Sequence, residues 1–501
     1  MTPHSDGALA LVLHSHMPYV EGFGTWPFGE EWLWEAVACV YLPLLDLLDG
    51  APVTVGLTPV LCDQLEAMRD APGDRYLSFL REIRAAIHAE DAAGLERGGE
   101  PELAAEVQRA AGDYVFAEEA FARQGRDLLR AFAELDRVEL WTSTATHALL
   151  PMLATDAGLR LQLATGTGSH LRRFGDWSGG FWLPECAYTP GLERDLGDHG
   201  VRAFCVDQTA VEGFDHLRPV ATEAGPVAVP IDWATVELVW NDSEGYPVHG
   251  TYRDYHRRTV HDLKPWNNAG DPYDRAAALD LAREHARDFV ERAAARVVGG
   301  GLLCCALDTE LLGHWWYEGP AWLAAVLEEA PRQGLELVTV SEGLERTEPQ
   351  DAVLQPSTWG SRKDLSTWDS PRVGHMATAA RRSELETVAA TAGHARPRAA
   401  LERAARELLA VQASDWAFMA TRELAGDYPR ERLARHGVDL KAALEALRGP
   451  AEPDRSSEAG GRAVPSKRGA GSPAEVISPP VPDPSVRNLA PDLALAALTS
   501  P

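Results

Sequence analysis

Two carboxylates in this chain stand just past apolar, strand-like runs, and both have aromatic neighbours. The first lies in Phe181-Trp182-Leu183-Pro184-Glu185-Cys186-Ala187-Tyr188, preceded by Gly179-Gly180 and followed by Thr189-Pro190-Gly191. An apolar run with a bulky aromatic predicts a buried strand. Pro184 holds Leu183 extended and cannot sit within a central ladder, so the strand ends there and Glu185 follows its exit. Trp182 and Tyr188 offer flat faces suited to stacking on a sugar ring. The second carboxylate ends Leu302-Leu303-Cys304-Cys305-Ala306-Leu307-Asp308, with Thr309-Glu310 and Gly313-His314-Trp315-Trp316-Tyr317-Glu318 following. Six apolar residues in succession suit a strand covered on both faces. A lone strand-end Glu or Asp can cap a helix or face water. Two of one design, beside aromatics, point to glycosidic bond chemistry, which sets two carboxylates about one linkage.

Imidazoles stand at other strand exits. Leu9 to Leu13 leads into His14-Ser15-His16-Met17-Pro18-Tyr19. Residues two apart on a strand share a face, so His14 and His16 point the same way. Such a pair can bind zinc or hydrogen-bond sugar hydroxyls, and no third ligand at convincing spacing follows. His147 ends a run from Val138, and Asp207 ends Arg202 to Val206.

The elements that position these groups alternate. Further strands are expected at Pro52 to Leu57, Val227 to Ile231, Val236 to Trp240 and Leu335 to Glu342. Helices are expected over Glu30 to Leu48, Leu192 to His199 and Tyr273 to Val297. Residues 74–137 read as a helical insertion broken near Gly98-Gly99-Glu100-Pro101. Strands separated by helices imply βα units and a parallel sheet. Polar strand exits fit a closed barrel with its site at that mouth, with an open doubly wound sheet as the alternative. No G-x-G-x-x-G follows a strand, which counts against a dinucleotide fold. Residues 241–270 are polar and carry aromatics, the composition of a functional loop. Ala377 to Leu447 reads as a helical domain. The stretch 451–501 holds nine of the 34 prolines and few aromatics, and is expected to be disordered.

Composition narrows the partners. Net charge is −28, from 75 acids against 47 Lys and Arg, over 501 residues. That disfavours nucleic acid and anionic membrane. The six cysteines include no CxxC pair, and most lie in apolar runs, which fits reduced thiols in a cytosolic protein. The first apolar run, followed at once by His-Ser-His, reads as a strand rather than a secretory leader.

Five stretches resemble glycoside hydrolase family 57, and within it the 1,4-α-glucan branching enzymes, from about residue 9 to about residue 447. They are His14 to Tyr19; Thr146-His147 with Leu149-Leu150-Pro151; Trp182 to Tyr188; Leu307 to Trp316; and Ser414-Asp415-Trp416. The resemblance implies a (β/α)7 TIM-like barrel as catalytic domain, over 1–346, and a C-terminal α-helical domain over 347–450. It implies a retaining mechanism with Glu185 as nucleophile and Asp308 as acid/base, needing no cofactor and no metal. Candidate glucan contacts by the same matching are His14, His16, His147, Trp182, Trp266, Trp359, Trp368 and Trp416. His314 joins them from the fourth stretch, and Tyr246 from a loop resembling the mobile cover of branching enzymes. Donor and acceptor would both be α-glucan. A 4-α-glucanotransferase or α-amylase of the same family is the near alternative. A zinc-dependent polysaccharide deacetylase, using His14 and His16 with Asp308 or Asp207, is a distant one. A non-catalytic glycan-binding protein is another.

Overall fold

Every residue of Ala8–Ser15 (β1) is buried, yet its two faces differ in kind. Leu9, Leu11 and Leu13 pack outward on helices, whereas Ala8, Ala10 and Val12 join a separate cluster inside. The computed structural model, which describes residues 7–391, 398–448, 486 and 488–499, repeats this division around a ring. The other strands are Thr54–Leu57 (β2), Glu139–Ser143 (β3), Gly180–Trp182 (β4), Ala203–Val206 (β5), Val227–Pro230 (β6) and Leu302–Asp308 (β7). Each pairs in parallel with the next from β1 to β6, and β1 pairs in parallel with β7. A bridge between Ile231 and Cys304 closes the ring, with the Asp232 N–H donating to the Cys304 carbonyl at 2.8 Å. The result is a seven-stranded (β/α) barrel. Ala203, Cys205, Leu302, Cys304, Ala306, Trp141 and Trp182 fill its interior. Mostly small inward side chains leave room for the two tryptophans.

Two expected strands resolve differently. Val236 to Trp240 is the end of a helix, Trp233–Trp240, whose N-cap Asp232 accepts from the Thr235 N–H. A five-residue apolar run fits either period. Here Val236 and Val239 share the buried helical face, while Glu237 is exposed. Leu335 to Glu342 divides into a strand at Glu336–Val338, beside the lower half of β1, and a helix at Val340–Arg346. Thr339 and Glu342 form a capping box that starts that helix.

Between β2 and β3 run helices Ala71–Ser78, Ala85–Arg97, Pro101–Arg123 and Leu128–Ala133. Gly99, at φ 79°, turns the chain between the second and third. After the barrel come Gly374–Thr391, Arg398–Gln412, Asp415–Arg422 and Tyr428–Arg448. The expected disordered tail lies mostly outside the described residues. Its end does not behave as its composition suggests: Val486, Leu489, Ala490 and Leu498 are buried in one cluster with Leu401, Leu408 and Leu444. The Arg406 side chain donates to the Leu489 carbonyl, and the Ala490 N–H donates to Asp63. A few apolar residues at the end of a polar stretch find a groove that average composition does not reveal.

Candidate active site

Strand alternation carries straight into the site. Ala8, Ala10 and Val12 point inward, so His14 does as well. Leu302, Cys304 and Ala306 do likewise on β7, so Asp308 follows them. His14 and Asp308 are partners in the parallel register of β1 and β7. His147 and Glu185 arrive differently. Each stands just past its strand in the left-handed region, at φ 58°, and Cys186 follows at φ 49°. Three non-glycine residues in this conformation each cost about 1–3 kcal/mol, and such strain gathers where side chains must be aimed.

The imidazoles form one stacked group. His14 lies 4.5 Å from Trp182 between ring centroids, and His147 lies 4.0 Å from His16. The Nε2 atoms of His14 and His147 are 3.0 Å apart. The second nitrogen of His147 is 2.9 Å from the Ser414 hydroxyl, and His16 meets Asp415 at 2.9 Å and Thr58 at 3.1 Å. Burial, then the charge on His16, holds His14 well below 6.5, and burial with both neighbours does the same to His147. Those two rings are neutral. Burial also works against charge on His16, but the Asp415 carboxylate, with Glu310 and Glu185 beyond it, raises its pKa.

Both carboxylates are pushed toward the protonated form. Burial pushes Glu185 up to about 7; the Trp359 indole N–H, 2.7 Å from Oε2, restrains the rise, and the Asp415 charge adds to it. Asp308 is raised well above its ordinary range by burial, then by the charges of Glu310 and Glu185. Each therefore feels the common cavity, and Asp308 also feels Glu185. Burial thus favours the protonated form of both, and at Asp308 the neighbouring carboxylate charges add to it. Glu310, pushed to about 7 by burial, accepts from the His16 N–H and the Tyr41 hydroxyl.

A cavity of about 2700 Å3 opens over these groups. His14, His16, His147, Glu185, Asp308, His314, Trp359 and Trp368 line it. Trp182 lies behind, stacked under His14 and edge-on to Trp359 at 5.0 Å. Tyr246 turns away and donates to Asp288 at 2.6 Å on the helix Arg275–Arg296, so the face of its loop toward the cavity is Asn241-Asp242-Ser243-Glu244. Trp266 sits under the Arg257 guanidinium, 4.3 Å from the ring centroid. Trp416 is buried, with its indole N–H on the Ala410 carbonyl at 2.7 Å. The side chains of its motif that reach the imidazoles are Ser414 and Asp415, which sequence reasoning passed over for the aromatic. Glu310, Tyr41 and Lys363 were also missed. Among the described residues no zinc set is assembled. His16 commits both nitrogens to Asp415 and Thr58, and Asp207 is taken by Lys363, Trp233 and Thr209.

A barrel of this kind, with these carboxylates at its mouth, can be compared with known proteins. Residues 10–355 match Glycosyl hydrolase family 57. The chain belongs to glycoside hydrolase family 57. Within it, residues 375–458 match the domain described as 1,4-alpha-glucan branching enzyme, C-terminal. A Mycobacterium tuberculosis family relative, described as "Probable 1,4-alpha-glucan branching enzyme", is 32% identical over 493 residues, covering 88% of this chain and 92% of that one. The fold is similar to that of a family 57 branching enzyme from Pyrococcus horikoshii, with TM-score 0.81 at 31% identity over 86% of this chain and 88% of that one. It is equally similar to a family 57 branching enzyme from Thermococcus kodakaraensis in complex with glucose, with TM-score 0.82 at 29% identity over 90% and 92% of the two chains.

Proposed function

We propose that the protein is a 1,4-α-glucan branching enzyme in which Glu185 is the nucleophile and Asp308 the general acid and base. The observation that carries this is the pair of carboxylates, Asp308 at the end of one barrel strand and Glu185 just past the end of another, that line one cavity. In the first step Asp308 protonates the oxygen of an α-1,4 linkage. Glu185 attacks the anomeric carbon, the C–O bond breaks, and the leaving chain departs with the proton. The donor segment is now an ester on Glu185. In the second step the 6-hydroxyl of an acceptor glucan attacks the same carbon. Asp308, now a carboxylate, takes its proton, and Glu185 leaves. Two inversions give an α-1,6 branch with retained configuration.

Transfer must outcompete water. The helical domain supports this by bringing Asp415 and Ser414 onto the imidazole stack. The cavity wall supports it with large exposed aromatics, Trp26, Trp240 and Trp315, on which acceptor rings can stack. A cytoplasmic role in glycogen-type polymer synthesis is the setting favoured by six free cysteines, five of them buried. Among the described residues no helix is long and apolar enough to cross a membrane.

The test is amylose incubated with the protein and followed by proton NMR. New α-1,6 signals with little reducing sugar are expected. Reducing sugar alone would mean an amylase, and shuffled linear lengths a 4-α-glucanotransferase. Glu185→Gln and Asp308→Asn should each abolish turnover of glucan; normal turnover in either overturns its assignment.

A further inference from the structure

Lys363 lies in the cavity wall with its backbone in the left-handed region at φ 60°. Its ammonium donates to Asp207 Oδ2 at 2.8 Å and sits 3.3 Å over the centroid of the Trp233 ring. Asp207 leaves β5 on the inward face that Ala203 and Cys205 share, and it is fully buried. The Trp233 indole N–H also donates to Oδ2, at 2.6 Å. The Thr209 N–H and hydroxyl donate to Oδ1 at 2.9 and 2.7 Å. Four donors thus meet one carboxylate, and Lys363 supplies the countercharge.

The turn that carries Lys363 closes on itself. Its N–H donates to the Gly360 carbonyl at 2.8 Å, and its carbonyl accepts from Thr358 at 3.2 Å. Between these lies Trp359. Its N–H donates to the Glu185 carbonyl at 2.9 Å and its indole N–H to the Glu185 carboxylate at 2.7 Å. The turn is therefore fastened at one end to the exit of β5 and at the other to Glu185, three residues past the end of β4.

We propose that Lys363 is a positioning residue: held by Asp207 and Trp233, it fixes the 358–363 turn so that the Trp359 indole stays aimed at Glu185. This rests on the reading of Glu185 as nucleophile. The charges that face Glu185 directly come from Asp415, His16, Arg422 and Asp308. Lys363 acts on it through Trp359, by keeping a charge-stabilising hydrogen bond in place. Loosening the turn weakens that bond and favours the protonated carboxyl.

The experiment is the pH dependence of kcat/KM for branching of amylose. Lys363→Met should move the acidic limb to higher pH by about one unit, the result of losing a charge-assisted hydrogen bond. Rate below the limb should fall about tenfold while KM changes little. Trp359→Phe should make the same move, and adding Lys363→Met to it should move the limb no further. Lys363→Arg should retain the wild-type limb. Because Lys363→Met leaves Asp207 as a buried charge without its cation, the pair Asp207→Asn with Lys363→Met is the second variant, and it should show the same displacement. A limb that stays in place in either folded variant overturns the proposal, as does a displacement that adds to that of Trp359→Phe. If Glu185→Gln itself retains turnover, the nucleophile assignment has failed instead, and that outcome is read separately.

Discussion

Glu185→Gln should stabilise the protein while inactivating it, and the gain should depend on pH in a fixed way. Burial raises the Glu185 carboxyl from its ordinary 4.5 to about 7 in the folded state. The folded-state value is raised, so the stability associated with this group is fully present below pH 4.5 and is lost as pH rises through about 7. Below that window the group is protonated whether the chain is folded or not, and Gln and Glu should be near equal. Inside it, unfolding releases a proton and the native protein weakens with each step in pH. A displacement of roughly 2.5 pH units, at about 1.36 kcal/mol each, amounts to as much as about 3 kcal/mol above pH 7. For a chain of this size that is about 3 °C in melting temperature. The assay is thermal or urea unfolding of both proteins from pH 4 to pH 8.5, reading the difference at each pH. A gap that opens between pH 4.5 and 7 and then levels is expected. A gap that is flat with pH, or a Gln variant that is weaker above pH 7, would refute the placement of a desolvated carboxylate there.

Other outcomes follow from the same geometry. Asp308→Asn should lose turnover of glucan yet still react with α-glucosyl fluoride, whose leaving group needs no proton, and mass spectrometry should find the sugar esterified to Glu185; no adduct would remove Asp308 from the acid role. Asp415→Asn keeps a hydrogen bond to His16 but removes the charge that raises its pKa, so the His16 titration observed by NMR should move to lower pH; an unmoved midpoint would count against the pair. Leu489→Ala should cost about 2–4 kcal/mol, since Leu489 is fully buried against the helical domain, and denaturant unfolding measures it; a cost below about 0.5 kcal/mol would mean the chain end is not seated there.

Much of the site was legible because period-two alternation is a local rule. It places His14 and Asp308 inside the barrel from their distance to Ala10 and Cys304 alone. Pro184 marks the strand end ahead of Glu185 for an equally local reason. What escaped was non-local. Asp415 meets His16 across a separation of 399 residues, and nothing around Asp415 announces that partner. The motif around it is recognisable in the sequence, but its aromatic, Trp416, is buried with its indole N–H on the Ala410 carbonyl. Tyr246 failed likewise: its neighbours suit a loop tip, while Asp288, 42 residues on, claims its hydroxyl. Val236 to Trp240 is too short for either period to win, and the Asp232 cap decided it. In the tail, averaging over proline-rich sequence hid a few residues that fit a groove.

The partners of His147 and His16 lie far downstream, at Ser414 and Asp415. During synthesis the strands of the barrel leave the ribosome long before those residues do. A nascent chain can thus shape its catalytic mouth without orienting the rings inside it. Glucan cleavage then waits for the last helices to dock, so an unfinished polypeptide is a poor scissor for the polymer it will later build.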